Sequence, residues 1–194
     1  MRKDRATKER IARRALRILE AEGPEAVSMR RVATEVGITP MAIYYHFPNR
    51  ERLLRIVADR EFDRFAERIT TLRPSRSFTD QMIHIMDAYL DYAFARPRIF
   101  DYVFSNPRPD ARRFPDDFRA RRSPTLNLTA DTVAYWMQKG RLRRDDVWEI
   151  AMEMWAHVHG YLMLYRGGRF NLSEEEFRIL VQRSLRRLVN GLKA

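Results

Sequence analysis

Apolar residues recur at spacings of three and four along most of the 194-residue chain. Because an α-helix brings such positions to one face, the pattern predicts amphipathic helices nearly throughout and therefore an all-α fold. The first predicted helix carries Ile11, Ala15 and Leu19 on its inward face. Gly23 and Pro24 end it. With 45% hydrophobic residues, the chain is able to bury a real core.

Two short helices joined by a tight turn are predicted between Ser28 and Phe47. Ser28 can cap the first helix because its hydroxyl accepts from the free amides of the first turn. Gly37 ends that helix, since glycine readily adopts the left-handed backbone conformation. Thr39 caps the second helix, and Pro40 suits its first position because the amide it lacks would be unpaired there anyway. The segment is predicted to form a helix-turn-helix.

The second of these helices has one apolar face and one unusual outward face. Ile43 and Phe47 are four residues apart and share the inward face. The outward side chains combine aromatic or apolar bodies with polar tips: Met41, Ala42, Tyr44, Tyr45 and His46. Such side chains suit stacking on sugars, contacts to thymine methyls and hydrogen bonds to phosphates. The alternative is a plain helical hairpin whose tyrosines belong to the core.

A set of positions across the helix-turn-helix and the start of the next helix matches a known family signature: Ser28, Ala33, Gly37, Tyr44, His46, Phe47, Arg50 and Leu53. On these residues, roughly the first 56 of the chain resemble the amino-terminal domain of TetR-family regulators. The remainder resembles that family only in length, helical pattern and the run WAHVHG from Trp155 to Gly160. That run is similar to the Trp-His-Gly element of one carboxy-terminal ligand-domain subgroup.

The resemblance implies which side chains meet DNA. Those expected to contact phosphates are Thr39, Tyr44, His46 and Arg50. Those expected nearest the base edges are Pro40, Met41, Ala42 and Tyr45. The predicted DNA-binding set also includes Ser28 and Arg30. Arg50 departs from the family, which usually has lysine there; both are cations, but arginine offers a fork where lysine offers a point charge.

The family arrangement divides the chain into two helical parts joined by a long connecting helix. Residues 1–50 are the expected helix-turn-helix DNA-binding domain, and residues 51–194 the larger helical domain for ligand binding and dimerisation. Asn49 is expected to cap the connecting helix. Residues 107–123 are predicted to form a surface loop with little structure of its own, because prolines interrupt it and its arginines are expected to be solvated.

The last two predicted helices carry apolar surface that needs cover, and the apolar stripe of the final helix is the narrower of the two. The first of them begins at Asp145 or Asp146 and is apolar on most of its circumference. The second begins at Ser173, where Glu176 completes a capping box. Because such helices need cover on several sides, we expect a homodimer with a four-helix interface, as TetR-family proteins use. A two-fold pair places two reading helices roughly 34–36 Å apart, which predicts a palindromic operator of double-stranded DNA.

Aromatic residues of the second part form the candidate effector site: Tyr89, Tyr92, Phe104, Tyr135, Trp136, Trp155 and His159. Aromatic walls with a few polar tips suit a flat or lipophilic small molecule. Plain core packing is an equal alternative, and a lone histidine on an apolar helix is more often a satisfied core residue. The hypothesis is that an effector changes the spacing of the two reading helices and releases DNA, so the protein is a ligand-responsive repressor.

Charge agrees with a nucleic-acid partner, since 37 Lys and Arg against 26 Asp and Glu leave a formal +11. Residues 1–56 alone hold thirteen basic and seven acidic residues. The alternative class is a basic helical protein that coats nucleic acid or an anionic membrane without reading sequence. That alternative explains the charge but leaves Thr39, Pro40, Tyr44 and Tyr45 as a coincidence.

The sequence disfavours a helical-bundle enzyme, and no catalytic residue, metal site or cofactor is expected. Di-metal bundles use Glu-x-x-His on two helices, whereas Glu153 and His157 are four apart and occur once. His157 and His159 face different ways on a helix, so they make a poor metal pair. A phosphate-cradling glycine loop, a nucleophile elbow and cysteine are all missing. Without a signal core or a run of roughly 18 apolar residues, a cytoplasmic protein with no membrane partner is expected.

Overall fold

The computed structural model describes residues 2–72 and 75–193, and its regular elements there are helices. The first part contains α1 (Arg2–Glu22), a 3-10 turn (Pro24–Ala26), α2 (Met29–Val36), α3 (Pro40–His46) and α4 (Arg50–Thr70). The rest contains α5 (Phe78–Ala95), α6 (Pro97–Phe100), a π-helical turn (Asp101–Ser105), α7 (Asp116–Arg119), α8 (Pro124–Gln138), α9 (Val147–Arg166) and α10 (Glu174–Asn190). The all-α prediction is confirmed. Across the described ranges, none of these helices has the length and apolar character needed to cross a bilayer.

The chain forms two compact units. The first unit is the chain up to Arg64 together with Tyr92–Ala111, and the second is Phe65–Asp91 together with the chain from Arg112 onward. The core of the first unit includes the fully buried side chains Ile11, Leu19, Ile43, Phe47, Leu53, Ile99 and Phe100. The core of the second includes Met82, Leu90, Met154, Leu162 and Phe177. Each unit therefore buries its own set of large apolar side chains.

Helix starts follow the capping signals that the sequence carries. The Asn49 side chain accepts from the amide of Arg52 at 2.8 Å and so caps α4. Asp146 accepts from two amides in the first turn of α9. Ser173 and Glu176 form the reciprocal capping box of α10. All three predictions are confirmed. They could be made from the sequence because each cap involves only residues within one helical turn.

The predicted unstructured loop at residues 107–123 is wrong in part. It contains α7, and Phe118 of α7 is only 6% exposed and packs in a cluster with Leu126, Ala130 and Ala151. Several of its arginines are paired rather than simply solvated: Arg121 lies 2.7 Å from a carboxylate oxygen of Asp131, and Arg122 lies 2.7 Å from one of Asp117. A single apolar residue inside a charged, proline-rich run has no period, so the sequence pattern does not reveal its burial.

Candidate DNA-binding surface and effector site

Local hydrogen bonds and one glycine determine where α2 begins and how the chain turns into α3. Ser28 begins α2, and its hydroxyl accepts from the amide of Arg31 at 3.2 Å. Gly37 ends α2 with φ 75° and ψ 42°, the left-handed conformation that glycine adopts without strain. The next amide, that of Ile38, donates to the carbonyl of Ala33 at 3.1 Å. The chain therefore turns at Gly37 and enters α3 at a fixed angle.

Helix α3 has a buried side and a strongly exposed side. Thr39 accepts from the amide of Ala42 at 3.1 Å. Ile43 and Phe47 are fully buried, which fixes the rotation of the helix. The opposite side presents large side chains to solvent, with 80% exposure for Met41, 51% for Tyr44 and 80% for Tyr45. Three large apolar or aromatic side chains exposed together on one short helix mark an interaction surface.

Two neighbouring arginines at the start of α2 have different surroundings. Arg31 pairs with Glu22 and also with Glu35, whose carboxylate lies 2.9 Å away. These two carboxylates raise the pKa of Arg31. Arg30, the predicted DNA-binding residue, is exposed beside Ser28. Within the described ranges no carboxylate pairs with Arg30, so its guanidinium is available to an external anion.

The basic side chains at the end of α3 and the start of α4 already have partners within the first unit. His46 Nδ1 lies 3.1 Å from a carboxylate oxygen of Asp4. Arg50 donates through Nε to the carbonyl of Val27 at 2.7 Å and through Nη2 to that of Pro24 at 2.6 Å. The Arg50 fork thus fastens α4 to the 3-10 turn before α2. A phosphate at this position must share the guanidinium with those carbonyls.

Three of the predicted effector-site residues meet in the second unit. The Tyr89 hydroxyl lies 2.8 Å from Nδ1 of His159 and accepts from the indole N–H of Trp155 at 3.0 Å. Tyr89 is only 3% exposed, and this burial raises the pKa of its phenol, which therefore stays neutral. We call Tyr89, Trp155 and His159 the tyrosine triad. Its polar tips satisfy one another, as expected for buried polar groups.

The other predicted effector-site residues have contacts of their own. Tyr92 and Phe104 belong to the first unit, where the Phe104 ring packs on those of Phe62 and Phe100. Tyr135 is 51% exposed. The indole of Trp136 donates to Gln81 at 3.2 Å and lines a separate surface cavity. Hydrogen bonds thus join three of the seven residues, and an effector site built from all seven remains a prediction.

A buried charged cluster in the first unit has no counterpart in the sequence predictions. Glu61 is 1% exposed, and its carboxylate accepts from the Tyr92 hydroxyl at 3.0 Å, from Arg96 at 2.5 Å and from Arg64 at 2.7 Å. Arg96 also donates to Glu20 at 2.8 Å. We call these residues the Glu61 network. It ties α1, α4 and α5 together, and apolar periodicity gives no signal for it.

A helix-turn-helix followed by further helices is typical of DNA-binding regulators. The family model described as bacterial regulatory proteins, tetR family, matches residues 9–57. The model described as tetracyclin repressor-like, C-terminal domain, matches residues 82–188. Since the matched segments cover more than half of the chain, this protein belongs to the TetR family of helix-turn-helix transcriptional regulators. Its resemblance to the Trp-His-Gly subgroup remains a prediction.

Individual relatives agree with this assignment. The chain is 24% identical over 162 residues to an HTH-type transcriptional regulator of Mycobacterium tuberculosis, covering 84% of this chain and 71% of the relative. It is 43% identical over 54 residues to the HTH-type transcriptional repressor DrrR1 of Streptomyces coeruleorubidus, covering 28% of this chain and 20% of that repressor. The fold is similar to that of the regulator FadR from Bacillus subtilis, solved in complex with stearoyl-CoA. In that comparison the TM-score is 0.72 and the identity 14%, over 95% of this chain and 98% of FadR.

Proposed function

We propose that this TetR-family regulator is a ligand-responsive repressor that binds a palindromic operator as a homodimer and releases it when a small molecule binds. In this proposal residues 1–50 read DNA, and residues 51–194 bind the effector and the second subunit. The observation that carries the proposal is the outward surface of α3, where Met41 and Tyr45 are each 80% exposed. A protein that coats DNA without reading it has no use for such a surface.

The proposed reading surface separates into two kinds of contact. The residues assigned to the phosphates are Ser28, Arg30, Thr39, Tyr44, His46 and Arg50. The residues assigned to the base edges are Pro40, Met41, Ala42 and Tyr45. Phosphate contacts fix the position of α3 in the major groove, while base-edge contacts select the sequence. The exposed methionine suits thymine methyl groups, and the small side chain of Ala42 lets the helix approach the bases closely.

A homodimer through α9 and α10 is supported by apolar surface that remains exposed on both helices. Leu164 on α9 is 50% exposed and Ile179 on α10 is 46% exposed. Ala156, Gly160 and Leu164 follow one another at four-residue spacing on one exposed side of α9. Apart from its own helical neighbours, a Cβ at Gly160 would meet no atom of the described residues within 4 Å. Small residues beside exposed Leu and Ile suit close packing against a second copy of these helices.

The tyrosine triad is the proposed effector site. Its members offer a phenol, an indole N–H and an imidazole at one buried place, together with aromatic surface for an apolar ligand. An effector with one polar group can exchange hydrogen bonds with Tyr89 while its apolar body packs on Trp155. Binding of stearoyl-CoA by the similarly folded FadR supports a small-molecule effector here.

The central part of the proposal is tested by removing the two exposed tyrosines of α3. Fluorescence anisotropy compares Tyr44→Ala/Tyr45→Ala with the wild-type protein on the region upstream of its own gene and on random duplex, at a salt concentration where non-specific binding is weak. We expect the variant to lose its preference for the upstream region and keep salt-sensitive background binding. The control is Phe114→Ala, which removes a 40% exposed ring from the second unit.

Two outcomes would contradict the proposed reader. A wild-type protein with no preference for the upstream region over random duplex has no operator there. A double variant that keeps the full preference has its sequence-reading surface elsewhere than on Tyr44 and Tyr45. The Phe114→Ala control should retain the wild-type preference, which separates a local effect on α3 from a general loss of structure.

A further inference from the structure

A surface cavity of about 750 Å³ opens in the second unit, away from the tyrosine triad. Its walls come from the start of α5, the end of α8 with the segment that follows it, and the end of α10. On α5 the cavity is lined at Phe78, Thr79 and Asp80, which lie nine to eleven residues before Tyr89. At a rise of 1.5 Å per residue, that separation is roughly 14–16 Å along the helix. The cavity is therefore distinct from the proposed effector site.

The rim of this cavity is strongly basic. Arg76, Arg141 and Lys193 are exposed at its edge, and none of the three has a carboxylate within 4.0 Å among the described residues. Arg186 also lines the cavity, but Asp80 lies 3.6 Å from it and offsets its charge. Three uncompensated cations around one concave surface create a positive potential that attracts an anion.

The floor of the cavity is apolar and aromatic. Phe78, Leu142 and Val189 lie beneath it and are 4%, 3% and 0% exposed, so the aromatic surface that a ligand can reach comes from Trp136. Trp136 forms a wall, and its ring is oriented by the hydrogen bond from its indole N–H to Gln81 at 3.2 Å. An apolar floor below a cationic rim is complementary to a molecule with an apolar body and an anionic head.

The walls are also held in place without a ligand. An antiparallel bridge joins Leu142 to Lys193, and the amide of Arg143 donates to the carbonyl of Leu192 at 3.0 Å. The Arg143 guanidinium donates to the carbonyl of Gly191. These bonds fix the segment after α8 against the end of α10, so that Arg141 and Lys193 border the same opening. A preformed site loses less entropy on binding than one that must be ordered.

We propose that this cavity is a second small-molecule site that takes an amphiphilic anion, with a carboxylate or phosphate head and an apolar tail. The head lies among Arg76, Arg141 and Lys193, and the tail lies along Trp136 and the apolar floor. Trp136, which the sequence assigns to the effector site, belongs to this second site instead. The concave shape favours a small molecule over a nucleic-acid strand. Binding here requires neither the operator nor the tyrosine triad.

Isothermal titration of the full-length protein tests this site with three probes that share a decyl chain: decanoate, decyl phosphate and decyltrimethylammonium, each below its critical micelle concentration. We expect saturable binding of decanoate, decyl phosphate or both, and none of the cationic probe. Comparing the two anions tells a carboxylate ligand from a phosphate ligand. Arg141→Ala/Lys193→Ala should weaken anion binding at least about tenfold, because it removes two charge-assisted contacts.

A second double variant tests whether the loss of binding comes from the cavity itself or from a lower overall surface charge. Lys139→Ala/Arg144→Ala removes the same charge from exposed residues next to the cavity that do not line it. It should change the dissociation constant by no more than about twofold, as expected for solvent-exposed charges that do not contact the ligand. Trp136→Ala should also weaken binding of the decyl chain, since it removes the aromatic wall.

Four results would overturn the second site: no saturable binding of either anion, equal weakening by the two charge-removing pairs, equal binding of decyltrimethylammonium, or unchanged binding in Trp136→Ala. Operator affinity is not a readout in this experiment. The second site can therefore fail while the proposed repressor function stands, and the reverse also holds.

Discussion

Replacing the buried glutamate of the Glu61 network should be one of the most damaging single substitutions in this protein. The Glu61 side chain is 0% exposed, and it accepts from Tyr92, Arg96 and Arg64. Removing one partner of a buried ion pair costs about 3–5 kcal/mol, because the other partner is left buried without compensation. Arg96 is 25% exposed and keeps Glu20, so part of this cost is relieved.

Three substitutions in the Glu61 network should lower the free energy of unfolding by different amounts. We expect Glu61→Ala to lower the free energy of unfolding by about 2–4 kcal/mol, after the relief that Glu20 gives to Arg96. Tyr92→Phe removes only the hydrogen bond to the carboxylate and should cost about 1–2 kcal/mol. Arg64 is 55% exposed, so Arg64→Ala should cost no more than about 1 kcal/mol. The loss of stability should therefore be largest for Glu61→Ala, smaller for Tyr92→Phe and smallest for Arg64→Ala.

Urea unfolding of the full-length protein, followed by far-ultraviolet circular dichroism, measures these differences. Tryptophan fluorescence is the wrong signal, because Trp136, Trp148 and Trp155 all belong to the second unit. Glu67→Gln is the control, since Glu67 is exposed on the same helix and should stay within about 0.5 kcal/mol of wild type. If Glu61→Ala also stays within that margin, the energetic role assigned to the Glu61 network is refuted.

Three further predictions concern the turn, the dimer and the response to acid. Gly37→Ala should lower the free energy of unfolding by about 1 kcal/mol, because φ is 75° there, and an unchanged urea midpoint would argue against strain at the turn. Ile179→Glu should shift the protein from dimer to monomer in sedimentation velocity, whereas an intact dimer would exclude this face of α10 as the interface. Burial and the nearby Arg187 lower the pKa of His157, so the unfolded chain binds a proton that the folded chain does not, and stability should fall as the pH drops below about 6.5. His157→Gln should reduce this loss of stability in acid, whereas His84→Gln, at an exposed histidine, should not. Equal acid sensitivity in the two variants would contradict the role given to His157.

The helix-turn-helix could be predicted residue by residue because its signals are local. Ser28 and Thr39 each cap a helix through an amide three residues later. Gly37 supplies a left-handed backbone conformation that the lack of a Cβ atom permits. Periodicity alone places Ile43 inward. Each of these effects acts within one helical turn, so one sequence contains all the information that they require.

The candidate effector site could be predicted only in part, because it depends on contacts between residues that are far apart in the sequence. Tyr89 and Tyr92 are three residues apart on α5, yet one bonds to His159 and the other to Glu61. Tyr135 and Trp136 are adjacent, and the first is exposed while the second lines the cavity. Aromatic composition indicates that such residues can form a site, whereas the choice of partner depends on how the helices pack.

Arg50 shows the same limit within the DNA-binding surface. The sequence places a cation at the start of α4, which is sufficient to predict a phosphate contact. The carbonyls that its guanidinium meets belong to Val27 and Pro24, 23 and 26 residues earlier. A long-range side-chain bond of this kind has no signature in spacing or composition. Arginine at this position therefore has a structural use, because its guanidinium bonds to both carbonyls.

Selection of bound sequences from a random duplex pool by the purified full-length protein tests the proposed two-fold DNA reader most directly. Two copies of α3 related by a two-fold axis should enrich an inverted repeat whose half-sites are centred about 10–10.5 base pairs apart, or a multiple of that distance. Enrichment of no sequence, or of a sequence without internal symmetry, would contradict a homodimer that presents the Met41–Tyr45 surface to successive major grooves.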